Sequence, residues 1–231
     1  MNKEKIRIIA FDADDTLWHH EIYFYNAIED FCHFFPFIDK DRIKKELLKT
    51  VKNNISLYGY GIKSFTLSML ETYINFSSNS IEIKVTNKII NIGKSMIKKP
   101  IDLIEGVEHT IKVLSDKYCL MVITKGDLLD QERKIKNSKI FGFFKNFIVV
   151  SEKNEQTYLN VLEKNKIEIN EFLMVGNSIK SDILPVLNIG AKAIHIPYKI
   201  TWEHEDIKLD KLPKNYLKID SILSLLPMLN D

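Results

Sequence analysis

The sequence is poor in cysteine, and it lacks a long hydrophobic run and any block of one charge. Its two cysteines, Cys32 and Cys119, lie far apart and fit no metal-binding spacing, so we expect a reduced protein of the cytoplasm. No stretch approaches the roughly 18 consecutive apolar residues of a membrane-spanning helix. Met1–Lys5 is charged and precedes only a short apolar run, which argues against a secretory signal. The net charge is +2 without a basic block, so no nucleic-acid partner is expected.

A helical pattern fills the first part of the 231 residues, a length that suits one large domain or two small ones. After an opening apolar run at Ile6–Phe11, apolar residues recur at three- and four-residue spacing as far as Pro100. This spacing is typical of amphipathic helices, and their number predicts a bundle with its own core. The predicted helices are Glu21–Phe35, Asp39–Leu57, Tyr60–Phe76 and Ser80–Lys98.

Beyond Pro100, short apolar runs alternate with helical segments. This alternation indicates βαβ crossovers and a parallel sheet. The run at Ile6–Phe11 is nearly continuous in its apolar character, which predicts a central strand that is buried on both faces. The further predicted strands are Tyr118–Thr124, Phe147–Val150, Phe172–Val175 and Ala193–Ile196. The further predicted helices are Gly106–Lys117, Leu128–Asn137, Gln156–Asn165, Ser181–Ile189 and, capped by Asp220 and stopped by Pro227, Asp220–Leu226.

The two patterns together predict an α/β fold with an insertion. Residues 1–17 and 100–231 form a Rossmann-like parallel-sheet core, and residues 18–99 form the inserted helical bundle. The first strand is thereby separated in sequence from the rest of its sheet. We see no internal repeat and no low-complexity segment.

Polar residues follow four of the predicted strands. In open parallel sheets, ligands bind at the carboxyl ends of the strands, so these residues are the candidates for an active site. They are Asp12, Asp14 and Thr16 after the first strand, Thr124, Lys125 and Gly126 after the second, Lys153 after the third, and Asn177 and Asp182 after the fourth.

Asp12 and Asp14 are two residues apart in an extended segment, so their carboxylates project to the same side. Two ionised carboxylates at this distance need a cation or a shared proton. Mg²⁺ binds one or two carboxylates together with water and phosphate oxygens, so it is the expected ion. Asp182, supplied by another strand's loop, is the further acidic ligand.

The remaining candidates suit an anion. Lys153 supplies a positive charge, while the Thr124 hydroxyl and the amides of Lys125 and Gly126 are donors at a strand-to-helix turn. Phosphoryl transfer through an aspartyl-phosphate requires a carboxylate nucleophile, a metal, an acid and groups that bind the phosphate oxygens.

These segments resemble the four motifs of the haloacid dehalogenase-like hydrolase superfamily. The first is Asp12-Ala13-Asp14-Asp15-Thr16-Leu17 after an apolar strand, the second is Thr124, the third is Lys153, and the fourth is Gly176-Asn177-Ser178-x-x-x-Asp182. Their order matches over roughly residues 6–197, and the inserted bundle resembles the family's cap domain in its position directly after the first motif.

The resemblance implies a role for each motif residue. Asp12 would be the nucleophile, and Asp14 the general acid that protonates the leaving oxygen and then the base that activates water. Thr124 and Lys153 would hold the transferring phosphoryl group. Mg²⁺ would bind the Asp12 carboxylate, the Asp14 main-chain carbonyl and Asp182.

Asn177 departs from the family pattern, which often has Asp at this position. Its side chain still offers a carbonyl oxygen to the ion or to a water on it, with one negative charge fewer. Either Asp182 carries the metal on that loop, or the metal affinity is lowered.

The acid at position 14 favours a phosphatase, because the family's dehalogenases usually lack it. A cap that closes over the core would exclude bulky substrates, so we expect a small phosphorylated metabolite. A phosphomutase, a 2-haloacid dehalogenase and a catalytically silent binding protein stay as alternatives, and the pattern favours no oligomeric state.

Three neighbours of the first motif have other expected roles. Asp15 should point away from Asp12 and Asp14, and capping or turn stabilisation suits it. His19 and His20 face apart because they are adjacent, so they cannot chelate one ion together. We expect them in the hinge or the lining of the cap, where one of them could touch substrate.

Overall fold

The computed structural model describes residues 6–77, 80–200, 213 and 216–230. The predictions for Met1–Lys5 and for most of the tail that begins at Thr201 lie outside this range. The chain divides into two compact units. The first is formed by the described residues of Met1–Glu21, Ile101–Lys125 and Gln131–Asp231, and the second by those of Ile22–Pro100 and Gly126–Asp130.

The described residues of the first unit build a parallel sheet of six strands in the order β3-β2-β1-β4-β5-β6. The predicted α/β architecture with a central first strand is therefore confirmed, since β1 lies between β2 and β4. The strands are β1 Ile8–Phe11, β2 Cys119–Lys125, β3 Asn146–Val150, β4 Phe172–Gly176, β5 Lys192–His195 and β6 Leu217–Lys218.

Alternate residues of the central strands enter two different cores, because successive side chains of a strand point to opposite faces of the sheet. Ile9 and Phe11 pack in one core with Val122 of β2. Ala10 packs in the other with Met121 and Met174. Burial on both faces explains why the sequence of β1 is continuously apolar rather than alternating.

The second unit contains four helices that share one hydrophobic core. Asp39 caps the second of them, since its side chain accepts a hydrogen bond from the Arg42 amide at 3.0 Å, in agreement with the helix start predicted there. Phe31, Ile43, Leu47 and Met69 are fully enclosed in the core. The helices are α1 Glu21–Cys32, α2 Lys40–Tyr58, α3 Ile62–Phe76 and α4 Ile83–Lys98.

Further helices connect and flank the strands of the sheet. They are α5 Val107–Ser115, α6 Leu128–Lys136, α7 Glu155–Asn165, α8 Leu184–Asn188 and α9 Leu225–Asn230. No helix in the described ranges is long and apolar enough to cross a lipid bilayer.

Several predicted helix ends are shifted by up to three residues, and two predicted helices differ from the structure by more than that. Ser181–Ile189 is not one helix: a π-helical turn at Ile179–Ile183 precedes α8, and this turn carries Asp182 on its buried side. The last helix does not stop at Pro227, which lies within the first turn of α9. Proline is tolerated there because the first amides of a helix have no partner within the helix.

Two features near the end of the chain were also missed. Ser221, not Asp220, caps the 3-10 turn Ile222–Ser224 that leads into α9. Strand β6 has only two residues, too few to give a periodic pattern in the sequence.

Candidate active site

Asp12 directly follows β1, and its amide donates to the carbonyl of Val175 at 2.9 Å, which ties it to the end of β4. The Lys153 ammonium group donates to Asp12 Oδ1 and to Asp182 Oδ1 at 2.6 Å. All three side chains are buried. The predicted nucleophile, lysine and acidic residue of the fourth motif therefore meet in one ion-paired cluster.

The loop after β4 holds Asp182 in place. The amide of Ser178 donates to Asp182 Oδ2 at 3.0 Å, and the Asp182 amide donates back to the Ser178 carbonyl at 2.8 Å. A Cβ atom at Gly176 would collide with the Asp182 carboxylate, so glycine is required at the start of this motif. Both oxygens of Asp182 thus have a donor within the protein.

Burial and the opposite charges nearby shift the pKa values of Asp12 and Lys153 in opposite directions. Burial raises the pKa of Asp12 to about 7, against the attraction of Lys153 and with a further rise from Asp182. Burial would lower the pKa of Lys153, but Asp12 and Asp182 outweigh it and hold that pKa above the usual range. Lys153 therefore stays charged, and an additional cation next to Asp12 would favour the ionised carboxylate that a nucleophile needs.

Asn177 faces the other oxygen of Asp12. One end of its side-chain amide lies 3.2 Å from Asp12 Oδ2, 3.1 Å from the carbonyl oxygen of Asp14 and 3.1 Å from the Thr16 hydroxyl. Carboxylate and carbonyl oxygens only accept hydrogen bonds, so the amide nitrogen is assigned to this end. Asn177 contacts two of the three groups to which the family resemblance assigns the metal, and the third, Asp182, contacts Lys153.

His195, at the end of β5, fixes the backbone of this loop. Its Nε2 donates to the carbonyl of Asn177 at 3.0 Å, and its other ring nitrogen bonds to the Tyr216 hydroxyl. Burial lowers the pKa of His195, which favours the neutral ring with one donor and one acceptor nitrogen. His195 was not among the residues predicted from the sequence.

Asp14 lies in a dense set of donors. The Lys134 ammonium contacts Oδ1 at 2.6 Å and Oδ2 at 2.8 Å, Trp18 Nε1 donates to Oδ1 at 2.7 Å, and Gln131 donates to Oδ2 at 2.8 Å. His20 Nε2 lies 3.5 Å from Oδ2. Burial would raise the pKa of Asp14, but His20, Lys134 and Gln131 hold it well below its usual range. The carboxylate is therefore ionised in this state.

Lys134 and Gln131 were missed by the sequence analysis. They lie three residues apart on α6, so both project from the same face of that helix. The one signal in the sequence that could have drawn attention to them is their position on the helix that follows Thr124.

The phosphate-binding candidates lie at the end of β2 and just after it. Thr124 is buried, and its hydroxyl accepts a hydrogen bond from Gln131 Nε2 at 3.2 Å. The Lys125 ammonium donates to the Ser181 hydroxyl at 3.1 Å. Gly126 has a φ of 139°, which only glycine adopts readily. It begins the segment Gly126–Asp130, which groups with the second unit.

Asp15 of the first motif and the two histidines that follow this motif have defined contacts. Asp15, with φ 61°, accepts hydrogen bonds from the amides of His20 at 2.9 Å and of Glu21 at 3.1 Å, so the predicted stabilising role is confirmed. His19 bonds to the Tyr198 hydroxyl at 2.6 Å, whereas His20 approaches Asp14. The two histidines do not share a ligand position.

A metal ion at this site would have to use mixed oxygen ligands. Among the described residues, no three His, Cys, Asp or Glu side chains converge on one point. The oxygens available are Asp12 Oδ2, the Asp14 carbonyl and, with the amide turned, Asn177 Oδ1. Carboxylate, carbonyl and amide oxygens, completed by water, suit Mg²⁺, so the residues present fit the ion that the sequence predicted.

Known proteins share this fold and sequence pattern. A structure of a haloacid dehalogenase-like family hydrolase from Xanthomonas campestris is 33% identical, with a TM-score of 0.87 over 98% of this chain and 91% of that one. A HAD-hydrolase from Bacillus subtilis, solved with magnesium bound, is 16% identical, with a TM-score of 0.70 over 98% of this chain and all of that one. The latter likeness shows the fold alone.

Sequence comparison gives the same family. A glyceraldehyde 3-phosphate phosphatase from Pyrococcus furiosus is 23% identical over 208 residues, which cover 84% of this chain and 82% of the relative. The family model for haloacid dehalogenase-like hydrolases matches residues 6–190, a range that holds Asp12, Thr124, Lys153 and Asp182. The chain therefore belongs to the haloacid dehalogenase-like hydrolase family.

Proposed function

We propose that this hydrolase cleaves a small phosphomonoester through a covalent phosphate on Asp12. The observation that carries the proposal is the cluster of Asp12, Lys153 and Asp182 at the carboxyl end of the sheet, with Asp14 beside it. The phosphatase relatives, whose named substrate is a three-carbon phosphate, support the same class of reaction.

In the first step, a carboxylate oxygen of Asp12 attacks phosphorus and the bond from phosphorus to the ester oxygen breaks. Lys153 and the Thr124 hydroxyl stabilise the negative charge on the transferring phosphoryl group. Asp14 gives a proton to the leaving oxygen. Because Asp14 is ionised in the structure, it must first take up this proton from solvent as the substrate binds, and the negative charge of the entering phosphate favours that protonation.

In the second step, water attacks the same phosphorus atom and the bond from phosphorus to Asp12 breaks. Asp14, ionised again after the first step, accepts a proton from the water. Inorganic phosphate leaves and Asp12 is restored. The donors around Asp14 favour the ionised form that this step needs.

We propose Mg²⁺ as the cofactor, held by Asp12 Oδ2, the Asp14 carbonyl and Asn177 Oδ1. It would supply positive charge that offsets the anionic phosphate and carboxylates. We assign Asp182 to the placement of Lys153, because one of its oxygens accepts a hydrogen bond from that lysine and the other is held by the Ser178 amide. The magnesium-bound relative of the same fold supports the choice of ion.

We further propose that the second unit, helices α1–α4, serves as the cap that selects a small phosphorylated metabolite. Cys32 and Cys119 are free thiols, which suits a cytoplasmic enzyme.

The test is phosphate release from a panel of phosphorylated sugars, nucleotides and three-carbon acids, with Mg²⁺ and with EDTA. We expect release from at least one ester, abolished by EDTA and by Asp12→Asn but not by Asp41→Asn, a matched change at an exposed residue of α2. Chloride release from 2-chloropropionate without phosphatase activity would favour a dehalogenase instead. No turnover of either kind would contradict the proposal.

A further inference from the structure

Lys134 is a buried lysine whose ammonium group contacts both oxygens of Asp14. Its side chain is 6% exposed, and the two distances are 2.6 and 2.8 Å. A lysine is rarely buried unless it is paired, and contact with both oxygens fixes the plane of the carboxylate as well as its charge. Trp18 Nε1 adds a third fixed contact at 2.7 Å.

Gln131 connects this carboxylate to the anion-binding residues. Its amide nitrogen lies 2.8 Å from Asp14 Oδ2, 3.2 Å from the Thr124 hydroxyl and 2.9 Å from the Lys125 carbonyl. Three acceptors around one nitrogen exclude the flipped amide. Asp14 and Thr124, which belong to different motifs, are thus held in one network.

The oxygen of the same amide is unsatisfied. Gln131 is 3% exposed, and among the described residues its Oε1 has no hydrogen-bond partner. An unsatisfied buried acceptor is costly.

From these contacts we propose that Lys134, together with Gln131, is a positioning residue that fixes the Asp14 carboxylate for proton transfer. This inference rests on the proposed function, in which Asp14 first gives a proton to the leaving oxygen and then takes one from water. In this proposal Lys134 needs no contact of its own with the substrate or the metal. Its effect on the reaction is exerted through the orientation of Asp14.

A purely structural role for Lys134 predicts a different outcome. A lysine that only neutralises a buried acid would, when lost, slow the reactions of all substrates by the same factor. A positioning residue for a general acid matters most when the leaving group needs a proton. Phenol has a pKa near 10, so phenyl phosphate needs the acid, whereas 2,4-dinitrophenolate leaves without one.

The experiment compares Lys134→Met, Lys134→Arg and Gln131→Met with wild type on these two aryl phosphates. Rapid quench gives the rate at which Asp12 is phosphorylated, and mass spectrometry of the intact chain follows the loss of the phosphoryl group. Lys136→Met is the matched control, because Lys136 is exposed on the same helix and pairs with Glu132 at 2.9 Å. Circular dichroism verifies that each variant is folded. If Lys134→Met does not fold, the comparison of the two esters is made with Gln131→Met instead.

For Lys134→Met we expect the phosphorylation of Asp12 by phenyl phosphate to slow about 100-fold, which is the lower range of general-acid effects. Phosphorylation by 2,4-dinitrophenyl phosphate should slow less than about 3-fold, because its leaving group needs no proton. The phosphoenzyme should also persist longer with both esters, since Asp14 activates water. Lys134→Arg should regain part of the loss, Gln131→Met should show the same selectivity more weakly, and Lys136→Met should match wild type.

Equal slowing with both esters, or no slowing, would overturn the role of Lys134. A wild-type enzyme that transfers no phosphoryl group to Asp12 would instead remove the proposed function, and this result is visible before any variant is compared.

Discussion

Lys153 donates a hydrogen bond to Asp182 Oδ1 over 2.6 Å, while the same ammonium group pairs with Asp12. Asp182 is in turn fixed by the Ser178 amide and packs on Gly176, where no side chain fits. The lysine that faces Asp12 is thus placed by a residue from the turn that follows a different strand. We therefore propose that Asp182 supports the site by placing Lys153, although the sequence predicted it as a ligand of the metal.

The first prediction concerns Asp182. Asp182→Asn removes one of the two charges that hold Lys153, so we expect kcat to fall at least about tenfold, which corresponds to roughly 1.4 kcal/mol. The dissociation constant of Mg²⁺, measured by titration calorimetry, should change less than about threefold. Glu132→Gln, at an exposed residue of α6, is the control. A large loss of Mg²⁺ affinity in Asp182→Asn would return this residue to the metal site.

The second prediction concerns Asn177. Asn177→Asp adds a negative charge beside Asp12 Oδ2 and the Asp14 carbonyl, and cation affinity rises with the charge of the ligands. We expect calorimetry to show Mg²⁺ binding about tenfold more tightly than in wild type. An unchanged dissociation constant would show that this side chain does not face the ion.

The third prediction is a pH dependence of stability. The pKa of Asp14 in the folded chain is below its unfolded value of about 3.9, so the group stabilises the fold fully above that value. The stabilisation is lost as the pH falls through the folded pKa. Asp14→Asn leaves Lys134 buried without its counter-charge, so we expect a loss of about 3 kcal/mol at pH 7.

Urea unfolding in EDTA at pH 7, 5, 4 and 3 measures this difference between wild type and Asp14→Asn. The difference should be constant from pH 7 to pH 5 and should shrink at pH 4 and pH 3. A difference that is independent of pH would show that the charge of Asp14 does not contribute.

The sequence predicts which residues follow the strands far better than it predicts the hydrogen-bond and ion-pair partners of those residues. Asp12 was identifiable because a buried strand ends abruptly in several acids, and Lys153 because it follows another strand. The residue types at the strand ends limited the chemistry that they could perform together. Strand ends and residue types can be read from the local sequence, so no knowledge of side-chain contacts is needed.

Lys134 and Gln131 were not predictable in the same way. They lie on a helix rich in charged residues, where solvent-exposed lysines are the ordinary case. Only the folded chain shows that one face of α6 points toward Asp14. The orientation of the Asn177 amide likewise depends on three oxygens from other parts of the chain.

The boundaries that failed have physical causes as well. The π-helical turn before α8 contains the buried Asp182, which packs against Gly176, and helical periodicity does not encode this contact. Pro227 was taken as a stop, although proline also fits the first turn of a helix.

The most direct measurement of the central claim is the mass of the intact chain after rapid acid quench during turnover, followed by peptide mapping. We predict that a fraction of the protein gains one phosphoryl group on the peptide containing Asp12, that the adduct is lost at alkaline pH or with hydroxylamine, and that Asp12→Asn gains none. Steady phosphate release without any adduct, or an adduct that persists in Asp12→Asn, would contradict the account.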